Sequence, residues 1–251
     1  PHQQQPLFSV IFHLAYLCNS FSTTNFYKSI DGGDSFTLSN TGLPTSSSRL
    51  VIDVTPANPN LVYLVSATAT PSNDFQGIFK SSDSGDTFIE QAQRLDIFET
   101  NQAWFDLALA VSDTNEDEIY VGVLNIWKST DGGNNFTQLN HWYFHDASFT
   151  HADIHLLRFY NNELYSGTDG GFYKSSDGGS TFTDLTQGMQ IGQFYRISVS
   201  QQTSSKIVGG LQDNGGFGYT NNQWNNYHNG DGMEGVVDPN NDNFYYGFMQ
   251  F

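Results

Sequence analysis

One ten-residue pattern occurs four times in this chain and limits its fold more than any other feature. It reads YKSIDGGDSF at 27–36, FKSSDSGDTF at 79–88, WKSTDGGNNF at 127–136 and YKSSDGGSTF at 173–182. Each copy is aromatic-Lys-Ser-x-Asp-x-Gly-x-x-Phe. The aspartates Asp31, Asp83, Asp131 and Asp177 follow one another at 52, 48 and 46 residues. A period near fifty with strand-like flanks predicts β-propeller blades of four strands each. Within the pattern, the Asp carboxylate can accept backbone N–H groups of a turn, and the Ser two places earlier can join it. Gly33, Gly85, Gly133 and Gly179 supply positive φ. Phe36, Phe88, Phe136 and Phe182 are expected to start the outer strand and pack into the blade. A residue repeated in every blade serves the scaffold, so Asp31, Asp83, Asp131 and Asp177 are assigned a structural role.

Hairpins with alternating apolar residues surround the boxes. They are LVIDVTPANPNLVYLV from Leu50, LALAVSDTNEDEIYVGV from Leu107 and LLRFYNNELYSG from Leu156, with further copies from Ile197 and Gly235. Period-two alternation about an Asn/Asp/Pro turn is hairpin grammar. HLAYLCNS at 13–20 aligns with NLVYLVSA at 60–67. Residues 6–20 therefore read as the inner hairpin of a first blade rather than a signal-peptide core, which would want a basic segment before it. The expected architecture is all-β: a single propeller region over 1–251 with blades at about 6–45, 49–95, 104–145, 153–190 and 193–229. Residues 230–251 begin a sixth blade and stop after its second strand, which fits a piece of a larger ring or of a longer chain.

Charge narrows the partners. Nine Lys and Arg against 26 Asp and Glu give a net charge of −17. That field repels nucleic-acid phosphates and anionic membrane surfaces. No run of 18 or more apolar residues predicts a membrane span. Cys18, the single cysteine, cannot form an internal disulfide and reads as a small buried hydrophobe.

Function is expected where the blades differ: the loops leading into each inner strand and the turns between second and third strands, which share one face. These hold Glu99, Trp104 and Asp106 ahead of the third blade, and HWYFHDASFTHADIH ahead of the fourth. They continue with Tyr195 and Arg196, the Gln212-Asp213-Asn214-Gly215 turn, and Asp231 and Glu234 ahead of the sixth. Four of the seven histidines lie in that one fifteen-residue stretch, which scaffold needs do not explain. Three chemistries are open. His151, Asp153 and His155, at i, i+2 and i+4 of a strand, could hold a transition metal. Two carboxylates among Asp106, Asp153, Asp169, Asp213, Asp231 and Glu234 could hydrolyse a glycosidic bond. Aromatic rings such as Trp104, Trp142 and Tyr195, beside polar groups, could simply bind a polysaccharide or a protein. The turns Asp113-Asn115-Asp117 and Asp238-Asn240-Asp242 alternate oxygens but lack the rest of an EF-hand loop, and read as solvated turns. No cofactor is expected.

The repeated pattern matches the Asp-box, or bacterial neuraminidase repeat. Sialidases of that kind clamp their substrate with three arginines; here Arg49, Arg94 and Arg158 are poorly placed for that, and Arg196 alone is well placed. The boxes together with HADIH at 151–155, GTDGGFYKSSDGG at 167–179, QFY at 193–195, GGLQDNGG at 209–216 and GDGMEGVVDP at 230–239 resemble sortilin-like and xyloglucanase-like Asp-box propellers. The likeness is greatest to large secreted bacterial proteins of the putative glycosyl hydrolase type. The resemblance implies a secreted or cell-surface protein that binds a polysaccharide or protein ligand on its loop face. The ligand-contacting residues would be Trp104, Asp106, His151, Asp153, His155, Tyr195, Arg196, Asn214, Asp231 and Glu234. The alternative it implies is an endo-acting glycoside hydrolase. Asp169, in Thr168-Asp169-Gly170-Gly171-Phe172-Tyr173, is similar to a catalytic Asp of the xyloglucanase type, and Asp213 is its acid partner by position only.

Overall fold

The structure, a computed structural model, describes residues 7–11, 14–21, 23–92, 95–189 and 191–250. Arg94 and the first six residues lie outside them, as do residues 12 and 13. Among the described residues there is no helix, and the strands form antiparallel sheets. The chain divides into two compact units, residues 1–186 and 187–251, with the boundary between the fourth and fifth blades.

The first unit holds four four-stranded blades, each with its strands in chain order. Blade one is β1 (Leu7–Ile11), β2 (Leu14–Phe21), β3 (Thr23–Ser29) and β4 (Thr37–Leu38). Blade two is β5 (Arg49–Thr55), β6 (Asn58–Ala67), β7 (Phe75–Ser81) and β8 (Ile89–Glu90). Blade three is β9 (Ala108–Val111), β10 (Ile119–Gly122), β11 (Ile126–Ser129) and β12 (Thr137–Gln138). Blade four is β13 (Ile154–Tyr160), β14 (Glu163–Thr168), β15 (Gly171–Ser175) and β16 (Thr183–Asp184). The first strands of successive blades, β1, β5, β9 and β13, touch in sequence, as the inner strands of a propeller do. The second unit holds blade five, β17 (Phe194–Val199), β18 (Ile207–Leu211), β19 (Gly215–Thr220) and β20 (Gln223–His228). It also holds a two-stranded sheet, β21 (Gly232–Val237) and β22 (Tyr245–Met249). The five four-stranded sheets and the sixth, two-stranded one agree with the all-β propeller and the blade count read from the repeats.

Each box folds into the same turn. Ser129 Oγ donates to Asp131 Oδ1 at 2.8 Å and accepts the Gly133 N–H at 2.9 Å. Asp131 Oδ1 then takes the Asn134 and Asn135 N–H groups at 3.1 and 2.9 Å. Asp83 is held the same way: the Thr87 hydroxyl, the Thr87 N–H and the Ser81 hydroxyl draw its carboxyl well below the usual range.

The hydrophobic cores lie between blades. Tyr16, Phe26 and Leu50 join Leu64, Phe79 and Phe88 between blades one and two. Tyr63, Val65 and Ile78 join Leu109, Ile119 and Val121 between two and three. Ala110, Tyr120 and Ile126 join Ile154, Leu157 and Leu164 between three and four. The box is what each blade offers its predecessor. Phe88 meets Phe26 edge-on at 4.9 Å, and Phe136 and Phe182 pack into the next two cores. Phe36, expected to pack likewise, is 37% exposed and joins none of these three cores. A Cβ on Gly85 would lie 3.1 Å from the Phe26 ring, and one on Gly133 would lie 2.9 Å from Ile78. These glycines are therefore required by close approach as well as by φ values of 84° and 95°.

A second repeated residue seals these joints. Tyr16, Tyr63 and Tyr120, each buried on a second strand, reach across to Ser84 O, Glu116 O and Gly178 O at 3.3, 2.9 and 3.0 Å. The box lysines Lys28 and Lys80 add ion pairs to Asp86 and Asp117, and Lys128 bonds Gly178 O. Cys18 is buried, with its thiol on Leu50 O and pushed up to about 12 by burial.

Removing only the reach of Tyr63, in Tyr63→Phe, is expected to cost about 1 kcal/mol, the net worth of one hydrogen bond. Gly133→Ala is expected to cost more, about 1–3 kcal/mol for backbone strain alone. Urea unfolding of the two variants beside the parent checks both, and an unmoved midpoint in Gly133→Ala would contradict the packing role.

Candidate functional site

With antiparallel strands in chain order, the boxes sit at one end of each of the four blades of the first unit. The loops leading into inner strands and the β2–β3-type turns sit at the other. In the first unit this second end gathers the segment 99–106, the segment 139–155 and the β14–β15 turn.

Asp153 and Asp169 bring carboxylate oxygens within 4.8 Å of each other. The peptide N–H of Asp169 donates to Asp153 O at 3.3 Å, which ties the turn to the loop. His155 Nε2 lies 2.8 Å from Asp169 Oδ1, and both side chains remain partly open to solvent. That hydrogen bond, with the carboxylate's charge, raises the His155 pKa against a smaller opposing effect of burial. Phe105 stands edge-on to the His155 ring at 4.9 Å, and Trp104 lies against Phe105 at 5.6 Å. Both aromatics are open, at 48% and 43%.

Sequence reasoning did not find two residues that hold this arrangement. Gln102 Nε2 donates to Asp106 Oδ2 at 2.9 Å and also to Asp153 Oδ1. Arg49, at the start of β5, donates to the carbonyls of Trp104 and Phe105 and so props the aromatic loop. A glutamine four places before an aspartate in a loop carries no motif, and Arg49 reads as the first residue of a strand. Glu99 ties the neighbouring loops together: its carboxylate accepts Asn125 Nδ2 at 2.7 Å and Trp127 Nε1 at 3.1 Å.

Two expectations are corrected. Asp106, expected to contact ligand, is fully buried, so it cannot. Burial, followed by the charge of Asp153, pushes its carboxyl up to about 7, against the lowering effect of the Gln102 bond. The metal set His151, Asp153 and His155 does not form on a strand face. The strand starts only at Ile154, Asp153 has φ +61°, and a bulge at His155 breaks the alternation. His155 is turned to Asp169, and His151 Nδ1 lies 3.1 Å from Ala152 O. Among the described residues the three do not gather as a metal-binding group.

In the second unit, Tyr195 sits at a similar bulge on β17, is 46% exposed, and donates to Gln212 Oε1. Arg196 pairs with Glu234 at 3.0 Å. Asp231 accepts the Asp213 N–H at 2.9 Å, while Asn214 Nδ2 closes its own turn on Gln212 O. The QDNGG and GDGMEG segments thus brace each other, and Asp213, at φ +60°, sits at the tip of the turn. The two oxygen-rich turns are engaged as turns and ion pairs: Asp113 accepts the Asn162 N–H, Asp117 pairs with Lys80, and Asp242 pairs with Lys206.

No known protein family and no curated protein matches the sequence. Solved structures do match. The GH74 xyloglucanase from Xanthomonas campestris is 16% identical with a TM-score of 0.54, over 94% of this chain and 40% of that one. The Niastella koreensis GH74 enzyme is 20% identical with a TM-score of 0.50, over 85% of this chain and 36% of that one. The chain thus spans less than half the length of either. At these identities the likeness establishes the fold, a β-propeller.

The raised His155 pKa gives a pH dependence with a definite sign. The protonated imidazole is stabilised in the folded state, so its contribution is complete below the unfolded value near 6.5 and fades as pH rises through the folded value. NMR titration of the His155 ring is expected to show a midpoint above 6.5 that falls in Asp169→Asn. An unchanged midpoint in that variant would remove Asp169 as its partner.

Proposed function

We propose that this propeller binds a polysaccharide on the loop face of blades three and four. The observation that carries the reading is the open Trp104–Phe105 pair standing over the His155–Asp169 pair. Aromatic rings take the apolar face of a sugar ring, and adjacent carboxylates and imidazoles take its hydroxyls. Xyloglucan is the first ligand to try, because a fold relative is named a xyloglucanase. In this reading the protein belongs to the Asp-box group and acts outside the cell. Tyr195, Arg196, Asn214, Asp231 and Glu234 are proposed as further ligand-contacting groups on the second unit. A protein ligand at the same face is the competing partner.

One observation favours a second reading, glycoside hydrolysis. Asp153 and Asp169 have carboxylate oxygens within 4.8 Å of each other, close enough for a two-carboxylate mechanism. Burial, then the charge of Asp169, pushes the Asp153 carboxyl up, which suits a proton donor. Asp169, hydrogen-bonded to His155, suits the ionised partner. Asp213 is a second proposed donor.

Affinity electrophoresis against xyloglucan, mixed-linkage β-glucan and sialylated glycans tests the binding. Trp104→Ala is expected to weaken retention about tenfold, near the 1.4 kcal/mol of one lost ring contact. Arg49 holds the backbone carbonyls of Trp104 and Phe105, so the loop should survive the change. Folded protein retained by none of these glycans would sink the reading. If reducing ends are released from a retained glycan, Asp169→Asn should abolish release and keep retention. Asp153→Asn and Asp213→Asn would then identify the donor.

A further inference from the structure

We infer that Asp106 is a positioning residue: a buried carboxylic acid that, together with Gln102, orients Asp153 by hydrogen bonds and never touches ligand. The inference deepens the proposed function, because it concerns a group that would act on that ligand.

The geometry is specific. The single amide nitrogen of Gln102 has two hydrogens, and it serves one carboxyl with each: Asp106 Oδ2 and Asp153 Oδ1. The neutral amide holds the two acids together without neutralising either. Asp106 Oδ1 is buried and finds no hydrogen-bond partner among the described residues. A carboxylate oxygen in that state is costly, whereas a carboxylic acid in its place can donate. The charged groups around it do not remove the cost. Arg49, from β5, donates through Nη1 to the Trp104 and Phe105 carbonyls and makes no hydrogen bond to Asp106, so its charge favours an ionised Asp106 only through space, and His155 is turned to Asp169. The remaining neighbour is Asp153, a like charge. Two adjacent acids cannot both ionise cheaply, and the more deeply buried one keeps the proton. That one is Asp106, while Asp153 stays partly open.

The proton on Asp106 then points its donor capacity at Asp153. Burial and the Asp169 charge favour neutral Asp153; the Gln102 and Asp106 hydrogen bonds and the nearby His151 oppose them. Asp106 and Gln102 are therefore the counterweight that keeps Asp153 able to lose and regain a proton. Full burial also explains why an acid in a ligand-facing loop need not face the ligand.

Carboxyl carbon NMR on the ligand-free protein tests this without any assumption about substrate. In the parent, Asp106 should titrate near 7, far above 3.8. Asp106→Leu, which removes the donor, should raise the Asp153 midpoint by about one pH unit, a tenfold change in its ionisation constant. Asp106→Asn, which keeps a donor, should leave that midpoint nearly in place. Stability supplies a second readout. The unfolded state ionises first, so Asp106 should contribute a fall in stability as pH rises from about 3.8 to about 7, and this share of the slope should be lost in both variants. An Asp106 that titrates in the ordinary carboxylate range overturns the inference, and this measurement needs no variant to fold. So does an Asp153 midpoint that Asp106→Leu leaves alone. Failure to retain any glycan, with these titrations as expected, would count against the proposed function and leave this assignment standing.

Discussion

The contact between each box and the blade before it is the constraint on which the first unit depends. A blade of four strands has two apolar faces and cannot cover either alone. The turn Ser129-Thr130-Asp131-Gly132-Gly133 bends the chain so that Gly133 meets Ile78 with no Cβ between them. Tyr63 and Lys80 then reach forward to the Glu116 carbonyl and to Asp117. The Ser–Asp hydrogen bonds keep the turn rigid, and the rigidity turns a chain of marginal hairpins into stacked sheets. Phe36 and Gly33 show the same parts where no neighbour packs on them: the ring is exposed, and no atom lies within 4 Å of the glycine's Cβ position.

That arrangement determines where chemistry can occur. In the first unit, the boxes and the tyrosine and lysine contacts that accompany them occupy one end of the blades. The other end is free of repeated demands, and its loops differ from blade to blade. Bulges at the starts of β13 and β17 turn His155 and Tyr195 out of the regular alternation, a common way of re-aiming a side chain. Asp153 and His155 sit at the start of the inner strand β13 and Asp169 in the short β14–β15 turn, so the cluster needs no long ordered loop to form.

The fold was legible because it is repeated. Four copies of one turn, with hairpins between them, predict the sheets and their limits from the sequence. Residues 153–169 were legible as a site for a related reason: they depart from the repeat. What sequence could not supply was depth and direction. Asp106 and Asp153 look alike as loop aspartates, yet one is sealed and one is open. His151, Asp153 and His155 share a face only in a regular strand, and a left-handed residue and a bulge break that regularity. Gln102 and Arg49 act through hydrogen bonds to groups far away in sequence, which no local pattern announces. The tyrosines Tyr16, Tyr63 and Tyr120 did recur visibly, but their task is clear only once the next blade's carbonyls are in place.

The central claim is that ligand is taken at the loop end of blades three and four. Amide hydrogen exchange, compared with and without xyloglucan oligosaccharides, tests it most directly. The account predicts slowed exchange in the segments around Gln102–Asp106, His151–His155 and Thr168–Gly171, with the box turns unchanged. Slowing confined to the box turns, or no change in any of the three segments while the oligosaccharide is bound, would contradict it.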